Sequence, residues 1–208
     1  MRLLGMGLFL AWEILTSPFE RAFGVPGGGV RLLASVPADQ AGPLLSALLT
    51  AALLAGAALL ERARGGLACG GGVRPAAACA ACAVGSAALT PLGAVADGSA
   101  GAAVGTALCV CSIALRAVAD AGLFLLWNAQ LSRHGARTAW VAYAGSFALA
   151  SSVYFVVSAA GSVALAVGVV ALPVASALLL AASASLPQEG SAEPAGAVAW
   201  GSRGARWC

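Results

Sequence analysis

Few side chains in this protein can do chemistry, and the two that stand out are Arg116 and Asp120. They lie four residues apart inside the otherwise apolar run from Ala114 to Trp127. On a helix that spacing places both on one face. In water they would form a surface pair. In lipid each charge taken singly costs about 2.5–3.5 kcal/mol at mid-membrane on insertion scales. A Leu or Phe returns only ~0.3–0.6 kcal/mol. Two charges that face each other, turned toward a helix bundle or a wet cavity, avoid most of that cost. The pair therefore either lines a ligand cavity or serves as a structural ion pair, with Arg snorkelling to the interface as the third reading.

Glu13 is the other ionisable group within an apolar segment, beside Trp12. It is placed to accept Arg116 as a partner or to bind protons, unless the first span ends near it. Asn128 and Gln130 follow Trp127 and are candidates for a cavity mouth. Trp127 and Trp140 fit an interfacial aromatic belt. Cys79-Ala-Ala-Cys82 matches C-x-x-C, but a redox or metal site needs an activated thiolate or further ligands. The only histidine, His134, lies in a loop, so small-residue helix packing is the better account. The sequence offers no nucleophile–base pair, carboxylate dyad or metal cluster. Neither an enzyme nor a cofactor is expected.

The solvent is set by composition. Of 208 residues 61% are hydrophobic and 9% charged, and the mean hydropathy is +0.93. Soluble domains average about a quarter charged, so so few charges cannot cover so much apolar surface in water. All eleven basic residues are arginine and are scattered. No run is long enough for a nucleic-acid arm, so direct nucleic-acid binding is not expected. Met1 to Leu10 has the look of a signal start without a small-residue cleavage pattern, and it reads as a retained first span.

A bilayer core of about 30 Å needs roughly 20 apolar helical residues to cross it. Six runs are read as spans: Leu3 to Pro18, short and interrupted by Glu13, then Ala41 to Leu60, Pro75 to about Ala96, Gly101 to Leu131, Thr138 to Ala160 and Ser162 to Leu186. The expected fold is all-α, a polytopic membrane bundle in one domain over 1–186. The stretch 187–208 is expected to be a disordered cytoplasmic tail. Arg62, Arg64 and Arg74 fall between the second and third runs, and Arg133, His134 and Arg137 between the fourth and fifth. After the first run Glu20, Arg21, Arg31 and Asp39 cancel, and after the third stands Asp97 alone. The positive-inside rule then puts both termini and both Arg-rich loops in the cytoplasm.

The segment Ala119 to Ser132, a basic turn from Arg133 to Arg137, and Tyr143 to Ala150 resemble the amino-terminal membrane half of bacterial LuxR-type regulators. That half is distantly like a major-facilitator transporter. The shared points are Gly122, the apolar run into Trp127, the basic turn and Ser146. The family usually has Gly-Glu after this Trp, where Asn128-Ala129 stand here, and no helix-turn-helix lies within the 208 residues. The resemblance implies six spans forming half of a major-facilitator-like unit in the cell inner membrane. It implies a sensory or regulatory module that binds a small ligand, truncated or working with a separate DNA-binding partner. The alternative is a small transporter, or a transporter half acting as a homo-oligomer.

Overall fold

A computed structural model describes residues 2–23, 31–33, 36–64, 73–132 and 136–185. Cys69, Gly70 to Gly72, Arg133, His134 and the expected tail 187–208 lie outside the described residues. Six helices account for nearly everything else: α1 (Arg2–Phe23), α2 (Ala38–Arg64), α3 (Val73–Ser99), α4 (Ala102–Leu131), α5 (Ala136–Ala159) and α6 (Ser162–Ser185). A short antiparallel hairpin, β1 (Arg31–Leu33) and β2 (Val36–Pro37), precedes α2 and was not foreseen. Helix is the structure expected of such apolar segments, because lipid offers backbone N–H and C=O groups no partner outside the segment itself.

The bundle is turned inside out relative to a soluble protein. Leu44, Leu48 and Leu53 on α2, and Val141, Phe147, Phe155 and Val156 on α5, are exposed. Arg116, Asp120, Gln130, Ser86, Ser112, Ser146 and Ser176 are buried. Apolar faces of that extent are far larger than a soluble monomer tolerates. Five helices, α2 to α6, are long and apolar enough to cross a membrane. The chain is a multi-pass helical bundle built for a bilayer.

α1 differs, and the difference locates the site. Its 22 residues are long enough to cross, but Glu13, Glu20 and Arg21 interrupt its apolar character. It tolerates them because it is a core helix. Met6, Phe9, Trp12, Leu15 and Phe19 are all buried, packed with Ala76, Ala80, Ala83 and Ala87 of α3, Leu123 and Trp127 of α4, and Leu165, Val169 and Leu180 of α6. Nor does α1 stop at Pro18, where the first span was expected to end. It runs on to Phe23, with Arg21 reaching back to the Ser17 carbonyl (3.5 Å) and hydroxyl (3.4 Å). A cation in the last turn also suits the helix dipole.

From α3 to α6, successive helices alternate in direction. Gly5 at the start of α1 lies against Trp127 and Leu179, while Gly168 lies against Leu15 and Val157. Thus α1 runs opposite to α4 and α6, and α5 runs with it. The start of α1 and the ends of α4 and α6 share one end of the bundle, joined by Ser176 Oγ donating to the Gly5 carbonyl at 2.8 Å. Gly101 and Gly161, both at positive φ, form the tight turns into α4 and α6, a conformation that L side chains resist.

Small residues set how closely α3 and α4 approach. A methyl group at Gly122 would collide with the Cys79 sulfur, so the first cysteine of the C-x-x-C is a packing residue fitted to a glycine. Gly122→Ala is expected to lower the thermal midpoint of the detergent-solubilised protein, at an overpacking cost of about 1–3 kcal/mol. Adding Cys79→Ala should recover part of the loss. A double variant no more stable than Gly122→Ala would contradict the fit.

Candidate functional site: a buried arginine with three carboxylates

Arg116 lies midway along α4, 14 residues after Ala102 and 15 before Leu131. At 1.5 Å per residue, that is more than 20 Å from either end. The guanidinium is not turned to the outside of the bundle. The side chain is instead buried, and three carboxylates surround it. Nη1 donates to Glu20 Oε1 at 2.7 Å, Nη2 donates to Glu13 Oε1 at 3.4 Å, and Nε lies 3.6 Å from Asp120 Oδ2. The i, i+4 pair expected from sequence is present. It is the longest of the three contacts, and the shortest goes to a residue assigned to a loop.

Sequence alone does not point to Glu20 so long as Pro18 reads as the end of the helix. With α1 continuous, Glu13 and Glu20 are seven residues apart and share a face, a signal that was available in the sequence. Thr16 lies between them and bonds back along its own helix, donating to the Glu13 carbonyl at 2.7 Å. The charges in this segment therefore do not cancel in a loop as expected, because Glu20 is committed to Arg116.

A narrow cleft opens beside the cluster between α1, α3 and α4, with Val169 of α6 at its edge. Thr16, Glu20, Ser86, Thr90 and Arg116 give it polar walls, and Trp12 and Phe19 contribute rings. The hydroxyls are linked. Ser112 Oγ donates to the Ser86 carbonyl at 2.9 Å and stands 3.2 Å from Ser86 Oγ and 3.0 Å from Thr90 Oγ1. The enclosed space of the cleft holds no more than about one water, far below the roughly 300–1,000 Å³ of sites for organic ligands.

Four buried polar atoms here have no hydrogen-bond partner: Trp12 Nε1, Glu13 Oε2, Arg116 Nε and Asp120 Oδ1. The Glu13 and Asp120 carboxyls nevertheless lie within hydrogen-bonding reach of each other.

The remaining expected site residues lie elsewhere. Asn128 donates to the Phe124 carbonyl at 2.8 Å and accepts from the Tyr143 hydroxyl. Gln130 is buried and donates to the Ser183 carbonyl at 3.5 Å. They tie α4 to α5 and α6 and are not brought to the cluster. Trp127 is not an interfacial residue: it is fully buried, donating to Ser176 Oγ at 2.9 Å. Trp140 is 76% exposed near the start of α5 and retains the belt reading. Set beside protein-family models, curated proteins and solved structures, the chain matches none.

Proposed function

We propose that this chain is a membrane-embedded sensory or regulatory module of the LuxR-type plan, without catalysis, whose working site is the Arg116 cluster. One observation carries the reading. A guanidinium in mid-helix is held by carboxylates from a second helix, α1, so two helices are coupled through charge at the centre of the bundle. Intramembrane ionisable groups are costly and mark functional sites by default. A change of charge state or ligation there alters the α1–α4 contact, which is how a signal would leave the bundle toward a separate DNA-binding partner. In the native host, deleting the gene and introducing Arg116→Leu are expected to change the same set of transcripts. An unaltered transcript profile in both strains rejects the regulatory reading.

A second reading, a transporter half working as a homo-oligomer, draws on the Glu13 side chain, which stays 42% exposed although it sits in mid-helix. A carboxylate facing lipid is unfavourable, so water or a second copy must cover that face. Solute uptake that depends on Arg116, Asp120 and Glu13 would favour this alternative.

Both readings place the chain in the inner membrane with both ends cytoplasmic. The starts of α3 and α5 and the end of α4 lie at the end of the bundle that holds the start of α1, and Arg74 and Arg137 are exposed there. Reporter fusions after Arg64 and Arg137 are expected to behave as cytoplasmic, and one after Asp97 as external. The reverse pattern would invert the topology.

A further inference from the structure

We propose that Glu13 and Asp120 form a proton-binding site, one proton bridging the two carboxyls beside Arg116. The proposal rests on the reading of the cluster as the working site and names its ligand. Three observations support it.

The first is charge. Glu13, Glu20 and Asp120 ionised against one guanidinium leave two formal negative charges uncompensated in the bundle. A bridging proton removes one of them without any movement of the helices. The second is geometry. Asp120 is 5% exposed, its Oδ1 has no partner, Glu13 Oε2 has none either, and the two carboxyls lie within hydrogen-bonding reach. Two carboxylates each with an unused acceptor are the arrangement that one proton satisfies, since a protonated carboxyl becomes a donor to its neighbour. The third is access. The Glu13 side chain is 42% exposed while Asp120 is buried, so a proton can reach the pair through Glu13. The adjoining cleft touches Arg116 and Glu20 and neither carboxyl of the pair.

The groups facing the pair are few. Arg116 and Glu20 carry charge, and the Cys109 thiol lies near enough to Glu20 to feel it. At the cleft α3 brings hydroxyls and alanines, and α6 brings Val169. Protonation therefore acts mainly on Arg116. With the Glu13–Asp120 pair closed on its own proton, the guanidinium is left more fully to Glu20, seven residues further along α1. The proton thus selects which part of α1 is bound to α4.

The test is infrared difference spectroscopy on the full chain in phosphatidylethanolamine–phosphatidylglycerol vesicles, titrated from acidic to alkaline pH. The expected result is a protonated-carboxyl carbonyl band present near neutral pH that bleaches as pH rises. Glu13→Gln and Asp120→Asn should each abolish it. Glu20→Gln should keep the band but move its bleaching to lower pH, because one negative charge fewer faces the pair. Should a variant fail to insert, labelling the native chain with carboxyl-¹³C aspartate makes the assignment, since the band must then shift. Absence of the band near neutral pH, its survival in both variants, or no isotope shift overturns the proposal. A bleaching point that moves when Na⁺ replaces choline identifies a metal cation as the occupant and also overturns it. The measurement needs no regulatory output, so a proton site found in a chain without effect on transcripts would remove the regulatory reading alone.

Discussion

Arg116→Leu is expected to be among the most damaging substitutions in this protein. It removes the only cation that touches Glu13, Glu20 and Asp120 among the described residues, and leaves three acidic groups around an apolar side chain. Breaking a buried ion pair from one side costs about 3–5 kcal/mol, because the partner remains as an uncompensated charge. Such a loss is a large fraction of the whole stability of a domain. Neutralising the partners as well should reverse much of it. Arg116→Leu with Asp120→Leu is expected to be less damaged than Arg116→Leu alone. The set Arg116→Leu, Glu13→Gln, Glu20→Gln and Asp120→Asn should recover further, since no ionised group is then stranded. Yield of inserted protein and thermal midpoint in detergent would report both. A double variant as damaged as the single one would mean that Arg116 contributes through its bulk and not through its charge.

How much of this cluster could be read in advance depended on where each residue sat. Arg116 and Asp120 were legible because a charged pair at helical spacing in an apolar run has few explanations. Glu13 was legible for the same reason, and its partnership with Arg116 was among the readings open to it. Glu20 was hidden by Pro18. In a soluble helix a proline usually marks a boundary, whereas membrane helices accommodate it, as α2, α3 and α6 also do at Pro43, Pro91 and Pro173. The centrality of α1 was hidden too. Among the six helices α1 alone is not apolar enough to qualify as a span, yet Met6, Phe9, Trp12, Leu15 and Phe19 bury one face of it in the core. An internal position permits acidic groups that a lipid-facing helix could not carry. The opposite error befell Trp127. Its place near a helix end suggested the interface, and only packing against Gly5 and Ser176 reveals it as core. By contrast, the extents of α3 to α6 followed from apolar run length almost residue by residue, because that length is set by bilayer thickness.

Trp127 supports the second large expectation. It is fully buried, its indole N–H donates to Ser176, and Ser176 in turn donates to the Gly5 carbonyl. The chain of hydrogen bonds links α4, α6 and α1 at the end of the bundle where the start of α1 lies. Gly5 has no side chain because the ring occupies that space: a methyl group there would overlap the six-membered ring of Trp127. Trp127→Ala should cost about 3–5 kcal/mol, the usual range for emptying a large aromatic site. Trp127→Phe should cost less, about 1–2 kcal/mol, because it loses mainly the bond to Ser176. Gly5→Ala should be destabilising for the opposite reason, through overpacking. The decisive measurement is the combination. If ring and glycine share one space, Gly5→Ala with Trp127→Ala will cost less than the sum of the two single changes, since the added methyl enters a vacated site. Neighbours that share a cavity depart from additivity by about 0.5–3 kcal/mol. Thermal midpoints of the four proteins complete the cycle, and strict additivity would show that α1 and α4 do not meet through this contact.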